Sequence, residues 1–319
     1  MKQLNKSSRL LNRSICLLSL VLVSGSVFAG NSGGWSTPVP VDGVNSSYFD
    51  GCQFLTLDGK TMIVASERDN PGQSPRDMDL YVFTREDDDK PFGNAYRLPE
   101  GINSDTTDVC PALSHDGHFL YFASVRNVEG SCGDRDIYVA YRADTRRWDQ
   151  WESVQNLGCD VNTAKVDQGP SFFRDADGRH FIYFSSNRPV AGVNRGHDIW
   201  YVQVGDDGMP VGPVQHEDVL STEFNDHRPF ISYDGRMVVF DTNRPGAVGG
   251  GGDDVWMATR AHKDDAFGEP VPVPNVNTPG QERRPVLSKD KEDLYISRVA
   301  GGDMNVVVAT NDDDDDHDD

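Results

Sequence analysis

The sequence predicts an all-β fold, a five-bladed β-propeller closed by an N-terminal strand that completes the last blade. Three observations lead there. A unit recurs five times, with Asp-Gly turns or their equivalents spaced 58, 61, 57 and 56 residues apart. Each full unit holds four short segments of β-branched and aromatic residues, the content of one propeller blade. The last unit lacks its fourth segment, and a matching one stands near the N-terminus.

The stretch from Asp226 to Arg260 shows the unit most clearly. It opens with an acid three residues before a Pro (Asp226, Pro229) and turns at Asp234-Gly235. A second strand leads to Thr242-Asn243-Arg244, and a third starts at Asp254. This reads as a meander of three strands joined by tight turns. The other openings are Asp50 with Gln53, Asp108 with Pro111, Asp167 with Pro170 and Glu282 with Pro285. Their turns fall at Asp58-Gly59, Asp116-Gly117, Asp177-Gly178 and Asp290-Lys291. Second strands are expected at Met62 to Ala65, Leu120 to Ala123, Ile182 to Ser185, Val238 to Phe240 and Leu294 to Ile296. Third strands are expected to begin at Asp79, Asp136, Asp198, Asp254 and Asn305. The fourth segments end at Asn103-Ser104, Asn162-Thr163, Ser221-Thr222 and Asn277-Thr278. Gly34 to Val41, running to Asn45-Ser46, has the same pattern and is expected to close the ring, leaving no open sheet edge.

Residues 1–29 read as a secretory signal peptide, with Lys2, Lys6, Arg9 and Arg13 before an apolar run from Ile15 to Val23, and Val27 and Ala29 at the cleavage site. The run is too short for a permanent span. The domain is then 30–310, and 311–319 is an acidic tail expected to be disordered. The expected location is periplasmic or secreted, without membrane insertion. Losing four basic groups and no acids takes the formal charge from −21 to −25, which argues against a nucleic-acid partner. The four cysteines outside the signal peptide suit disulfides in an oxidising compartment better than a metal. Of three connectivities, Cys132 with Cys159 and Cys52 with Cys110 is the one we expect.

Ser185-Ser186-Asn187-Arg188-Pro189 leading to Asp198-Ile199-Trp200, and its near copy Thr242-Asn243-Arg244-Pro245 leading to Asp254-Val255-Trp256, resemble the WD-like (WD40-like) repeats of the TolB propeller and of many exported bacterial proteins. The resemblance covers nearly the whole chain beyond the signal peptide and implies the propeller fold. It implies no role in the Tol-Pal system, because the α/β domain that precedes the TolB propeller has no counterpart here, and because that propeller has six blades.

Residues shared by all blades are expected to maintain the blade. Arg68 with Asp79, Arg126 with Asp136, Arg188 with Asp198 and Arg244 with Asp254 are expected to form ion pairs within each blade. The opening acids Asp50, Asp108, Asp167, Asp226 and Glu282 are expected as a ring near one mouth of the central channel. There they either accept backbone N–H groups in the loops between blades, or hold a cation such as calcium, or serve as carboxylates for glycosidic chemistry. No other cofactor or metal is implied.

The two residues after each acid differ between blades: Gly51-Cys52, Val109-Cys110, Gln168-Gly169, His227-Arg228 and Arg283-Arg284. His227, Arg228, Arg283 and Arg284 therefore form a candidate ligand-binding cluster for an anionic group. The function read first is an exported binding module that recognises an envelope protein or an anionic glycan through the channel mouth. The alternative is a carbohydrate-active enzyme. As a glycoside hydrolase it would use Asp226 and Glu282, with Arg228 and Arg284 on a substrate carboxylate; as a uronate lyase it would use His227 as base. Serine-hydrolase, phosphate-loop and zinc-protease motifs are lacking.

Overall fold

The computed structural model describes residues 34–68, 77–152, 154–247, 252–300 and 302–311. The signal-peptide and acidic-tail expectations fall outside these residues. Within them lie twenty strands in five four-stranded antiparallel sheets. Blade one holds β2 (Asp50–Leu55), β3 (Thr61–Ser66), β4 (Asp79–Thr84) and β5 (Gly93–Arg97). Blade two holds β6 (Asp108–Leu113), β7 (Phe119–Ser124), β8 (Asp136–Tyr141) and β9 (Gln155–Asn156). Blade three holds β10 (Asp167–Arg174), β11 (His180–Ser186), β12 (Asp198–Val204) and β13 (Gln215–His216). Blade four holds β14 (Asp226–Ile231), β15 (Met237–Thr242), β16 (Asp254–Thr259) and β17 (Val271–Pro272). Blade five joins β18 (Gln281–Leu287), β19 (Asp293–Ala300) and β20 (Asp303–Thr310) to β1 (Val39–Pro40).

The ring closes as the sequence predicts, with Val39 opposite Val308 and Pro40 opposite Val307. Asn45 tightens the closure: its Oδ1 accepts from Val306 N at 2.7 Å, and its Nδ2 donates to Val306 O at 2.9 Å. Asn103 does the same to Leu80, Asn162 to Ile137 and Asn277 to Val255. A side-chain amide here stands in for one more residue of β pairing, so the Asn recurs for a backbone reason. It lies beyond the fourth strand rather than ending it, a correction to the sequence reading.

The second strand of each blade is covered on both faces by neighbouring blades. Met62, Ile63, Val64 and Ala65 of β3, and Leu120, Tyr121, Phe122 and Ala123 of β7, are wholly buried. This is why these strands read as continuous apolar runs. Burying each large side chain contributes about 1.5–3 kcal/mol, so the blade interfaces hold the ring together. Cys52–Cys110 and Cys132–Cys159 are both disulfide-bonded, with Cα separations of 4.7 and 5.4 Å. The first ties the innermost strands of blades one and two, and the second lies within blade two. Both fit an oxidising compartment.

Candidate functional site at the channel mouth

The opening acids are buried without exposure in all five blades. One oxygen of Asp50 accepts from Ser46 N at 2.5 Å and Ser46 Oγ at 2.7 Å, and the other from Arg68 Nη2 at 2.6 Å. Asp108 takes Ser104 and Arg126, Asp167 takes Thr163 and Arg188, Asp226 takes Thr222 and Arg244, and Glu282 takes Thr278 and Arg298. Each arginine also donates to a carbonyl of the preceding interblade loop: Val44, Ile102, Val161, Leu220 or Val276.

The arginines thus pair with the first-strand acids, not with Asp79, Asp136, Asp198 and Asp254 as the sequence suggested. The error has a geometric cause. An arginine just past the second strand points back along the loop between blades, where the acid and the carbonyl converge. Asp226 and Glu282 are fully engaged in this clamp and closed off from solvent, which gives them a structural task.

The third-strand acids find blade-specific partners instead. Asp79 is held by Arg97 at 2.9 and 3.1 Å, Asp136 by Asn156 and Cys132 N, and Asp198 by Arg195 at 3.4 Å. In blade four the fourth strand offers Pro272 at the equivalent place. Asp254 Oδ1 has no hydrogen-bond partner among the described residues, and burial, with Glu282 and Asp253 nearby, pushes its pKa up to about 6.

The second residue after each opening acid has a left-handed backbone: φ is 50° at Cys52, 54° at Cys110, 63° at Gly169, 45° at Arg228 and 48° at Arg284. The strand pairing slips at each of these positions, so every innermost strand carries a bulge just inside the mouth. Only Gly169 adopts this conformation without steric cost; the left-handed residue recurs in all five blades as part of the bulge that each innermost strand carries. A Cβ at Gly169 would stand 2.6 Å from Arg228 Cγ, so the glycine makes room for that arginine.

Arg284 is 1% exposed and crosses the channel. Its Nη2 donates to Pro111 O at 2.9 Å and Pro170 O at 3.0 Å, and its backbone N to Asp241 Oδ1 at 3.0 Å. Nε and Nη1 have no partner among the described residues. Burial, with Arg228 close by, lowers its pKa to about 9. Arg228 makes a two-pronged pair with Asp241, its Nε 2.9 Å from Oδ1 and its Nη2 on Oδ2. Arg283 Nε donates to Asp253 Oδ2 at 2.7 Å. Arg135, half-buried, gives Nη1 to Gln168 Oε1 at 2.6 Å and leaves Nε unpartnered.

These four arginines line one cavity of about 140 Å³, with Cys52, Cys110 and Gln168 on its walls. Among the described residues only Asp241 and Asp253 pair with them as carboxylates, so the cavity carries an excess of positive charge in a strongly acidic chain. Three of the four sequence-predicted cluster residues, Arg228, Arg283 and Arg284, meet here.

His227 does not line the cavity. It packs on His197 at 4.3 Å between ring centres, and neither of its ring nitrogens makes a hydrogen bond. Burial, followed by Arg228 and His197, pushes its pKa well below the usual imidazole value, so it is neutral. His227, Asp241 and Asp253 each bring a donor atom within 4.8 Å of the others. Both carboxylates are already bound by guanidinium groups, and a dication there would have to displace them. With both carboxylates engaged in this way, it is the guanidinium groups around them that offer free capacity, and these suit an anion.

The sequence reading missed Arg135, Asp241 and Asp253. For Arg135 and Asp253 the signal was present. Met78, Arg135, His197, Asp253 and Met304 each precede the first residue of the third-strand motif, and they vary between blades just as the bulge residues do.

No protein-family model matches the chain, and no curated protein matches it in sequence. Solved structures do match in fold. The endo-arabinase from Bacteroides thetaiotaomicron superposes with a TM-score of 0.57 at 12% identity, covering 85% of this chain and 97% of that one. The GH43 endo-arabinanase from Bacillus licheniformis gives 0.53 at 13%, covering 84% and 95%. The α-L-arabinanase from Cellvibrio cellulosa, complexed with arabinohexaose, gives 0.55 at 13%, covering 85% and 91%. At this identity the likeness is one of fold. It corrects the TolB and WD-like resemblance: the repeat was read correctly as a propeller, but the structural neighbours are arabinanase-like five-bladed propellers.

Proposed function

We propose that the protein binds an acidic saccharide, a uronate or a sulfated sugar, at the mouth of its channel. The observation that carries this reading is the convergence of Arg135, Arg228, Arg283 and Arg284 on one cavity, with guanidinium N–H groups left unpartnered at Arg135 and Arg284. A planar fork of donors is suited to a carboxylate or sulfate, and a buried donor without a partner gains most from such a ligand. The fold shared with arabinanases, one of them complexed with arabinohexaose, supports a glycan ligand; none of the comparisons points to an envelope protein.

The second reading is a carbohydrate-active enzyme, favoured by the same fold likeness. Glycosidic cleavage needs one carboxyl group placed to protonate the leaving oxygen and a second on the other side of the bond. Asp226 and Glu282 are locked in clamps, and Asp241 and Asp253 are held by Arg228 and Arg283. A lyase needs its base beside the bound acid group, and His227 lies off the cavity wall. Binding therefore stands first.

Calorimetric titration of the protein with oligogalacturonate, against arabinohexaose as the neutral control, tests the reading. Binding of oligogalacturonate, weakened tenfold or more in Arg283→Ala, is expected, with any arabinohexaose binding left unchanged by that substitution; no oligogalacturonate binding, or an affinity unchanged in Arg283→Ala, overturns it. Product analysis of the same mixtures separates binder from enzyme, since any chain shortening moves the assignment to the second reading.

A further inference from the structure

A second cavity, of about 350 Å³, opens on the opposite face of the ring, where the turns between first and second strands lie. That volume falls in the range of small-molecule sites, about 300–1,000 Å³. The repeat supplies an internal control for what is built there. In blades one, two and four an arginine follows the third strand and donates through Nε to a turn glycine: Arg85 to Gly59 O, Arg142 to Gly117 O, Arg260 to Gly235 O. Each guanidinium also lies over an aromatic ring, at 4.5 Å on Phe92, 4.7 Å on Trp151 and 4.1 Å on Phe267. In blades one and four Nη1 is then satisfied by a loop carbonyl, Asp88 O at 2.7 Å and Asp265 O at 3.0 Å.

Blade two breaks the pattern. Arg142 is 2% exposed, its Nη1 has no partner among the described residues, and it lines the cavity. Its loop supplies a second indole instead, Trp148, 3.9 Å from the guanidinium carbon and also on the cavity wall. A buried donor without a partner among the described residues, on a side chain that lines a cavity beside two indoles, is a site for a ligand acceptor; Arg260 also lies over a second ring, Phe173, and leaves its Nη2 unpartnered, but it does not line this cavity.

The charge of the wall identifies the ligand class. Arg142 and Arg146 are matched by Asp58 and Asp116, and His115, pushed down to about 4 by burial with His180 and Arg174 nearby, is neutral. Each carboxylate uses Oδ1 in its own turn, Asp58 with Thr56 and Asp116 with Ser114, and has no hydrogen-bond partner on Oδ2 among the described residues. The wall thus offers guanidinium donors, carboxylate acceptors, Thr hydroxyls and an apolar ring, with both signs of charge present and neither in large excess. We infer that this cavity binds a neutral saccharide, whose hydroxyls both accept from Arg142 and donate to the carboxylates while a ring C–H face lies on Trp148.

This site stands independently of the acidic ligand proposed for the mouth. Arabinohexaose, xylohexaose and cellohexaose, titrated separately by calorimetry into the unsubstituted protein, are the probes. At least one is expected to bind, with affinity reduced tenfold or more in Trp148→Ala and in Thr145→Trp, and unchanged in Arg283→Ala. Thr145→Trp fills the cavity without removing a packed indole, so it reads out the site even where Trp148→Ala fails to fold. No binding by any of the three probes overturns the inference. So does binding that survives Thr145→Trp, or that is lost in Arg283→Ala.

Discussion

Two rings of residues lie one step apart on the same five strands and obey opposite rules. The opening acids and their arginines repeat in every blade, are buried, and satisfy one another and the loops between blades. The next two residues change from blade to blade, and at Arg284 they leave guanidinium atoms without partners among the described residues. Repetition marks what a blade needs to close, and departure from repetition marks what the whole ring does once closed. The opposite face gives the same lesson, since Arg142, which lines a cavity, lacks the loop carbonyl that Arg85 and Arg260 have on Nη1.

The comparison breaks most directly at the clamp. Replacing Arg244 by Ala strands the buried carboxylate of Asp226. A buried charge deprived of its partner costs about 3–5 kcal/mol, which denaturant titration reads as a lowered midpoint. Arg126→Ala in blade two is expected to cost the same, because its clamp has the same parts. Neither substitution changes affinity at the mouth in protein that remains folded. A loss below about 1 kcal/mol in both variants would remove the clamp from its structural role.

The disulfides sharpen the contrast between stability and function. Removing the crosslinks over separations of 58 and 27 residues costs about 4 and 3.5 kcal/mol on the chain-entropy account, so the two double Cys→Ser variants are expected to be similarly destabilised. Only Cys52–Cys110 walls the arginine cavity. Its loss should also weaken oligogalacturonate binding, whereas loss of Cys132–Cys159 should not. Equal affinities in the two variants would show that the mouth is indifferent to its own wall.

How much of this was legible in the sequence follows the same division. The five units, the closure and the third-strand starts of blades one to four were readable because Asp-Gly turns and β-branched runs follow from local backbone preferences, whereas β20 starts at Asp303, two residues before the expected Asn305. The pairing of Arg68 with Asp50 rather than Asp79 was not, because the choice depends on the loop carbonyl of Val44, which the fold brings to the guanidinium. Arg228, Arg283 and Arg284 were found by comparing copies. Arg135 was missed because its copy-to-copy variation lies before the third strand, where no motif drew the comparison. The open Nη1 of Arg142 had no signal at all in the chain, since it rests on how a loop of different composition fails to return a carbonyl.

The smallest expected effect concerns the acid that kept its place after its partner was lost. In blade four Pro272 takes the register position where other blades supply Arg97, Asn156 or His216; blade five, which has Pro40 at that place, carries Asn305 instead of an acid. With its folded-state pKa raised to about 6, above the ordinary carboxylate value near 3.8, Asp254 favours the folded protein in its neutral form. The sign follows from linkage: relative to acid conditions, stability falls as pH rises from about 4 through 6, because the unfolded chain releases this proton first. Asp254→Asn, which gives blade four the solution of blade five, is expected to remove that slope and raise stability at pH 7.5 by about 1–2 kcal/mol. Denaturant midpoints at pH 3.5 and 7.5 measure it: a gain present at pH 7.5 and absent at pH 3.5 assigns the cost to the ionised carboxylate, while an equal gain at both would assign it to packing.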